Sequence, residues 1–357
     1  MALLYIDSFD HYVTADITAK WTNKGVSDVT PTISAGNGRH SSSSLRLAAA
    51  GPLNNSTAWV QKVLTPADAT MICGFAVSVP SAAIGSTGLP LAAVRDGSTT
   101  QVCLRINNTG TLSVVRGNQG GTVLGTTTAV VPFSTFTFIE WKVLIDPSVG
   151  TVDVRINGAS ALSLTGQNTR SSGTSQWTAF NLGVIDAVFN TYGTTSNTDY
   201  DDLYVLDGSG SSPLNAFLGD ARVDARYPTG AGATTGWTPS TGSNWQNVDD
   251  TAPDGDSTYN ATSTVNAVDT FVTQDAPVAG ALLYGVQLCL SQKKTDSGTC
   301  SLAPVVRHSS TNYAGTAFNP STSYAVACTV YGTNPGTSAA WTETDFNNAE
   351  FGYKRTA

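Results

Sequence analysis

The sequence predicts an all-β protein built from two β-sandwich (jelly-roll) domains. Strong helix formers are rare: glutamate, one of the better ones, occurs only at positions 140, 343 and 350. Apolar or alternating runs recur about every 8–15 residues, and many of the 34 glycines and 15 prolines fall between them. That spacing is typical of a sandwich or barrel of antiparallel strands.

In the first half of the chain, two meanders justify the strand prediction. Residues 102–106 and Thr111–Arg116 read as a pair of strands. The stretch 133–164 reads as three strands, with one turn at 147–150 and another at Asn157-Gly158. Because Asn and Gly tolerate the positive φ angles of a two-residue type I′ turn, Asn157-Gly158 predicts a hairpin.

In the second half, β patterning returns in three runs, at Val268–Thr273, 281–290 and 323–330. The segment 342–349 predicts a short helix. Thr342 stands at the capping position, and Asp345 follows three residues later as a weakened capping box.

Length and composition divide the chain into three parts. At roughly 150 residues per domain, a chain of 357 residues predicts two domains. We expect a first sandwich over 1–215 and a smaller sandwich over 258–357. The residues between them, 216–257, are rich in Gly, Thr, Pro and Asp from 229 onward, which predicts an ordered but irregular connector.

Charge excludes several classes of protein. The chain carries 18 basic and 26 acidic side chains, a formal net charge of −8, and only 12% of its residues are charged, against roughly 25% in an average domain. Low charge with 40% hydrophobic residues argues against disorder. Nucleic acid binding needs clustered cations, and no apolar run reaches the roughly 18 residues of a membrane helix. We therefore expect neither a nucleic acid partner nor a membrane span.

The cysteines, at positions 73, 103, 289, 300 and 328, are odd in number. The N-terminus lacks the basic and apolar regions of a secretory signal. Together these observations argue against a disulfide framework. All but Cys300 lie in strand-like runs, which predicts small buried side chains.

The pattern around Trp141 resembles that of a known fold. Trp141, Val143 and Ile145 alternate along one strand, and the next strand runs Gly150-Thr-Val-Asp-Val-Arg-Ile to the Asn157-Gly158 turn. This combination resembles concanavalin A-like, or laminin-G-like, jelly rolls. The resemblance implies that the first domain is concanavalin A-like and says little about function.

A second resemblance spans most of the chain and is carried by short motifs. They lie at 6–12, 20–21, 201–207, 217–223, 244–245, 254–256, 259, 340–342 and 351–352. Together they resemble tailed-bacteriophage structural proteins. This resemblance implies a non-enzymatic virion protein, tail-associated as a fibre, tip or adaptor, that works through protein–protein contacts. It implies other virion proteins as partners and a location in the virion, assembled in the host cytoplasm.

Alternatives to a tail protein remain open at this point. One is a capsid decoration or head-fibre protein, and another is a module that binds a host surface glycan through the lectin-like first domain. A polysaccharide-degrading enzyme is disfavoured. Lys142 and Leu144 follow Glu140 at the positions where a glycosidase of this fold would carry further carboxylates. The charge-poor surface also fits a homo-oligomer, because the cores of subunit interfaces are depleted in charge.

Candidate site residues fall into two sets. Aspartates at 199, 201 and 202 could bind calcium, which prefers several oxygen ligands, and a second cluster lies at 249, 250, 254 and 256. Neither has EF-hand spacing, and Asp is also common in turns, so we expect no cofactor and keep calcium as the alternative. The aromatic set stands in polar sequence and is expected to contact a partner subunit or a glycan: Trp177, Tyr192, Trp237 and Trp245.

Overall fold

The chain forms two compact units. A computed structural model describes residues 2–27, 30–49, 57–81, 84–85, 87–184 and 196–357. Unit 1 comprises Met1–Val223 and unit 2 comprises Asp224–Ala357. Both are β-sandwiches, as the sequence predicts.

The described part of unit 1 is built from strands joined by turns, together with the short α-helix α1 (Ile17–Lys20). The strands are β1 (Leu3–Asp7), β2 (Asn23–Val26), β3 (Pro31–Ser34), β4 (Ser44–Ala49), β5 (Ala58–Val63), β6 (Thr70–Ser78), β7 (Leu89–Asp96), β8 (Thr99–Ile106), β9 (Thr111–Arg116), β10 (Thr122–Val130), β11 (Thr137–Leu144), β12 (Gly150–Ile156), β13 (Ala159–Gln167), β14 (Ala179–Val184) and β15 (Ser196–Asp207).

Two antiparallel sheets face each other in unit 1. Sheet A has the order β13-β12-β11-β6-β15-β4-β3, with β1 also paired to β15. Sheet B has the order β10-β9-β8-β7-β14-β5-β2. One apolar cluster fills the space between them and includes Phe75 and Trp141 from sheet A and Leu104 and Leu182 from sheet B. Burial of this cluster stabilises the unit, since apolar surface removed from water contributes about 25 cal/mol per Å².

The predicted meanders are confirmed. Strands β11, β12 and β13 pair in sequence, and the turn residues Asn157 (φ 49°) and Gly158 (φ 78°) are both left-handed, as a type I′ turn requires. Strands β8 and β9 form the second hairpin. The Asn157 side chain also accepts a hydrogen bond from the Phe138 N–H at 2.9 Å, which ties the turn to the start of β11.

Unit 2 is smaller and again almost entirely β. Its strands are β16 (Pro228–Thr235), β17 (Thr238–Pro239), β18 (Asn260–Ala261), β19 (Val268–Thr273), β20 (Val286–Gln292), β21 (Leu302–His308), β22 (Thr311–Ala314), β23 (Ala325–Tyr331) and β24 (Glu350–Arg355). One sheet has the order β16-β19-β24-β21-β22, and β20 pairs with β23. Apolar residues of β20 and β23 pack against buried Val306, Trp341 and Phe351, which makes the unit a sandwich.

The predicted C-terminal helix is confirmed as α2 (Glu343–Asn347). The Thr342 side chain accepts a hydrogen bond from the Asp345 N–H at 3.0 Å, and the Asp345 carboxylate reaches back to Thr342. This is the reciprocal arrangement of a capping box. None of the helices in the described chain is long enough to cross a bilayer.

The structure differs from the expected connector over 216–257. The two units divide at Val223 and Asp224, and Pro228–Thr235 is a strand paired with β19 rather than irregular chain. This run of small residues and threonines gives little sign of a strand by itself. It is ordered by backbone pairing at a sheet edge, where small residues are tolerated.

The prediction against disulfides is wrong for one pair. Cys289 and Cys328 lie directly opposite each other on β20 and β23 and are joined by a disulfide. They are 39 residues apart, and only the pairing register of these two non-consecutive strands brings them together. Cys73 and Cys103 are buried, as their apolar surroundings predict.

Candidate functional site

Sheet B presents two chemically different faces, because successive side chains of a strand point to opposite sides. One face belongs to the sandwich core and includes Val60, Phe180, Leu182, Val94, Val102, Leu104 and Val114. The residues between these positions point to the other side of the sheet, here called the outer face. Cross-strand pairing places on it Gln61, Asn181, Ala93, Cys103, Arg105 and Ser113. Most of the long side chains among them are polar.

Three amide side chains form a row across the outer face. Asn23 on β2 lies opposite Gln61 on β5, which lies opposite Asn181 on β14. The Asn23 Nδ2 donates to Gln61 Oε1 at 3.1 Å, and the Gln61 Nε2 donates to Asn181 Oδ1 at 3.3 Å. Gln61 and Asn181 are buried, whereas Asn23 at the end of the row is exposed. The relay therefore holds the exposed Asn23 amide in a defined orientation.

A tryptophan lies beside this amide row. Trp59 on β5 pairs with Gly25 on one side and with Gly183 on the other. Its indole lies directly over Gly25, since a Cβ built on that glycine would come within 2.1 Å of the ring. The side chain is half-buried. Gly25 thus leaves room for the aromatic surface of Trp59 on the sheet.

A polar relay continues across the far side of the outer face. The Thr126 and Ser113 hydroxyls lie 2.8 Å apart, and the Asn107 Nδ2 donates to the Ser113 hydroxyl at 2.9 Å. Asn107 lies in the turn after β8 and lines a cavity of about 340 Å³. That volume is within the range of about 300–1,000 Å³ typical of small-ligand sites. The other lining residues are Thr87, Gly88, Arg105, Asn108, Gln119 and Gly120.

Gln119 is the buried side chain of this cavity, with 1% exposure. Its Nε2 donates to the Gly88 carbonyl at 2.6 Å and to the Thr87 hydroxyl at 3.1 Å. Because the Gly88 carbonyl can only accept, these contacts identify the nitrogen end of the amide, and the other end is the oxygen Oε1. Within the described chain the Gln119 Oε1 is buried without a hydrogen-bond partner. A buried acceptor left unpaired costs about 1–3 kcal/mol, so the site favours a ligand that donates.

Arg105 supplies the positive charge of the cavity. Its Nη1 donates to the backbone carbonyl of Gln119 at 2.8 Å. Its aliphatic chain packs on Gly88, where an added Cβ would come within 2.9 Å of Arg105 Cγ and Cδ. Its Nε is buried and has no partner among the residues that the structure describes. The guanidinium is therefore held in place while one of its donors remains unsatisfied.

The aromatic residues predicted from sequence do not converge on this face. Trp177 is buried in the core of unit 1, where its Nε1 donates to the Thr70 carbonyl at 3.2 Å. Trp237 and Trp245 belong to unit 2 and are half-buried. The Trp237 ring packs edge-on against Tyr353 at 4.8 Å. Tyr192 lies outside the described residues.

The aspartates at 199, 201 and 202 are engaged by protein donors. Asp199 forms a two-point ion pair with Arg46, at 2.8 and 2.9 Å. Asp202 lies 3.3 Å from Arg39. Within the described residues no group of three His, Cys, Asp or Glu side chains is arranged to hold a metal ion. Calcium binding at this cluster stays a prediction.

Asp201 has a strongly shifted pKa. Burial, followed by the neighbouring Asp202 charge, raises it to about 8, although hydrogen bonds from the Ser42 hydroxyl and from the backbone of Asp202 and Arg39 oppose the rise. The Asp201 carboxyl is therefore mostly protonated at neutral pH.

The second acidic cluster belongs to the surface of unit 2. Asp250 and Asp254 both accept from the Thr258 hydroxyl, at 3.4 and 2.8 Å. Asp256 pairs with Lys293 and accepts from the Tyr324 hydroxyl at 3.0 Å. These are turn and ion-pair contacts.

Glu140 on β11 lies in an enclosed polar environment. It is fully buried and accepts from the Tyr204 hydroxyl at 2.7 Å and from the Gly219 N–H at 2.8 Å. The chain after β15 returns over this side of sheet A, which the sequence of β11 alone does not reveal.

The N-terminal segment of unit 1 buries two basic groups. The Lys20 Nζ lies 2.7 Å from His11 Nε2. Burial, and then the Lys20 charge, lowers the pKa of His11 to about 3, and burial lowers the pKa of Lys20 to about 8. Asp7 nearby accepts from Tyr5, Tyr12 and Trp21. These groups lie within the packed core rather than on the outer face.

No family model and no curated protein matches the chain. Among solved structures it is similar to the cellulose induced protein Cip1, at 14% identity and a TM-score of 0.40 over 53% of this chain and 94% of that one. It is similar to the alginate lyase Aly36B at 12% identity and a TM-score of 0.37 over 57% and 96%. The alginate lyase vAL-1 from Chlorella virus gives 10% identity and a TM-score of 0.38 over 54% and 96%.

These comparisons contradict two expectations. The non-enzymatic virion role is wrong, because the similar structures are a cellulose induced protein and alginate lyases. The expectation that the protein is not an enzyme is wrong for the same reason. Short motifs spread over a β-sandwich, from which the virion role was inferred, reflect turns and strand ends more than function.

Sequence reasoning missed the residues of the outer face. Their signal is a polar or small residue between apolar ones inside a strand, as at Gln61 after Val60 and at Asn181 between Phe180 and Leu182. Period-2 alternation indicates that such residues share a face. It does not indicate which strands are neighbours, so the amide row cannot be assembled from sequence.

Proposed function

We propose that unit 1 binds a carbohydrate on the outer face of sheet B. The observation that carries the proposal is the half-buried Trp59 lying flat over Gly25 beside the Asn23–Gln61–Asn181 row. The face of an aromatic ring is electron-rich, so it attracts the polarised C–H groups of a sugar ring. The exposed Asn23 amide, which the row holds in place, can both donate and accept, and this matches sugar hydroxyls.

The distribution of polar groups supports a chain of sugars as ligand. Polar side chains lie at both ends of sheet B, at Asn23, Gln61 and Asn181 on β2, β5 and β14 and at Ser113 and Thr126 on β9 and β10. The positions between them carry smaller apolar residues: Ala93, Cys103 and Val115. The cavity at Arg105 lies on the β8–β9 side of the same sheet. A site of this kind offers one enclosed position for a single sugar and an open surface for the neighbouring sugars of the chain.

The proposal is tested by electrophoresis of the full-length protein through gels containing soluble polysaccharides, neutral and acidic. We expect retardation in at least one gel. Trp59→Ala should weaken that binding about tenfold or more, because buried aromatic anchors commonly contribute at that level. The matched control is Tyr259→Ala, which removes an aromatic side chain that is 44% exposed in unit 2. Equal retardation of Trp59→Ala and the parent protein would contradict the proposal.

A further inference from the structure

The Arg105 cavity is distinguished first by its charge. Arg105 is the one charged side chain among the described residues that line it, and none of the lining residues is acidic. The chain as a whole has a net charge of −8. A cavity with a lone cation is therefore unlike the average surface of this protein.

Several other arginines of the molecule have carboxylate partners. Arg39 pairs with Asp202 and Asp220, Arg46 pairs with Asp199, and Arg307 lies 3.7 Å from Glu350. Within the described chain, Arg105 has no carboxylate within ion-pair distance. A half-buried cation without a counter-ion is costly unless something outside the chain supplies the negative charge.

The orientation of the guanidinium defines what can supply that charge. Nη1 donates to the backbone carbonyl of Gln119. The edge of the guanidinium formed by Nε and Nη2 is left to contact a ligand. A planar guanidinium edge matches the two oxygens of a carboxylate. The unpartnered Nε is one of the two donors that such a contact uses.

Gln119 adds a second requirement. Its Oε1 is an unpartnered acceptor in the same cavity, so it needs a donor and would repel an anion placed directly against it. A sugar hydroxyl supplies that donor. A ligand that satisfies both residues carries a carboxylate and a hydroxyl on one ring, which is the composition of a uronic acid.

We infer that the Arg105 cavity is a subsite for the carboxylate of an acidic sugar. This inference rests on the proposed function, since it assigns one position of the same carbohydrate-binding face. The carboxylate lies against the Nε edge of Arg105, a ring hydroxyl donates to Gln119, and neighbouring sugars extend over sheet B. A neutral sugar satisfies Gln119 and leaves the arginine without a counter-ion.

The test uses matched pairs of ligands. Pectate and alginate oligosaccharides, and the same chains with every carboxyl group reduced to a primary alcohol, are titrated into the full-length protein by calorimetry. We expect at least one acidic chain to bind about 10- to 100-fold more tightly than its reduced form, the range of a charge-assisted hydrogen-bond pair. Added salt should weaken binding of the acidic chain more than that of the reduced chain.

Variants locate the effect. Arg105→Gln should remove the preference for the acidic chain while leaving affinity for the reduced chain within about twofold. Arg105→Lys retains the charge without the planar edge, and it should keep part of the preference for the acidic chain. The control is Arg116→Gln on β9, whose side chain contacts Thr122 and does not line the cavity. Thermal unfolding of each variant checks that it is folded.

The outcomes separate the two claims. Equal affinity for acidic and reduced chains, or an equal loss for both in Arg105→Gln, overturns the acidic subsite and leaves carbohydrate binding in place. An acidic preference that survives Arg105→Gln overturns the assignment to this cavity. Absence of binding to every chain overturns both claims.

Discussion

At the scale of single residues, the outer face depends on Gly25. Any side chain at this position occupies the space of the Trp59 indole, because the nearest ring atoms lie 2.1 Å from an ideal Cβ. The tryptophan can lie flat only over a residue without a Cβ. The aromatic surface is therefore a property of two residues on neighbouring strands.

Gly25→Ala should reduce carbohydrate affinity about as much as Trp59→Ala, because it displaces the ring without removing it. Calorimetric titration of the best-binding polysaccharide measures the loss, which we expect to be about tenfold. Gly230→Ala is the matched control, since Gly230 lies on edge strand β16 of unit 2 with open space around its Cα. Unchanged affinity in Gly25→Ala would show that the indole is not the binding surface.

Asp201 predicts a dependence of stability on pH. With its pKa raised from 3.8 to about 8, folded protein holds a proton that the unfolded chain has lost, so stability falls as pH rises through this range. His11, with its pKa lowered from 6.5 to about 3, has the opposite effect below pH 6.5. The decrease due to Asp201 should thus emerge between pH 6.5 and 8, at up to about 1.4 kcal/mol per pH unit.

Urea unfolding of unit 1 at pH 6.5, 7.25 and 8 measures this slope. Asp201→Asn cannot ionise, and its unfolding free energy should vary less over the same range. A variant with the slope of the parent protein would assign the pH dependence to other groups.

At the scale of elements, the paired strands β20 and β23 are held by a covalent bond as well as by packing. Cys289 and Cys328 are separated by 39 positions in the sequence, and for a loop of that length the chain-entropy model gives about 4 kcal/mol of stabilisation. The constraint applies to unit 2, where the two strands pack against Trp341 and Phe351.

Replacing both cysteines with serine should lower the unfolding free energy of unit 2 by about 2–4 kcal/mol. Denaturant titration of the double variant measures the loss, and a reducing agent should reproduce it in the parent protein. Cys300→Ser is the control, because Cys300 is a free thiol. A double variant as stable as the control would mean that the disulfide adds nothing.

The elements also show how far sequence reasoning reaches. Asn157-Gly158, the Thr342 cap and the β19 run are local signals, and each element formed where it was predicted. Strand β16 and the disulfide depend on neighbours distant in sequence. The candidate site is harder still to predict from sequence, because the strand order of sheet B alone makes a row of Asn23, Gln61 and Asn181.

At the scale of the whole molecule, each unit has a core of its own. Units with separate cores commonly fold alone. The outer face of sheet B and the Arg105 cavity lie entirely within Met1–Val223. Unit 1 is therefore the part of the chain to which the proposed function belongs.

A fragment of residues 1–223 should fold and bind the same polysaccharides with an affinity within about threefold of the full-length protein. Circular dichroism establishes folding and calorimetry measures binding. The complementary fragment, 224–357, is the control and should not bind them. Binding by the second fragment alone would place the site in unit 2.

The most direct measurement for the central claim is hydrogen exchange by mass spectrometry on the full-length protein, with and without the tightest-binding polysaccharide. Ligand contact slows local opening and exchange at the residues it covers. We expect added protection in peptides that contain β5, β8, β14 and the turn at 117–121, and none in β11–β13 of sheet A. Protection confined to sheet A or to unit 2 would contradict the outer face of sheet B as the binding site.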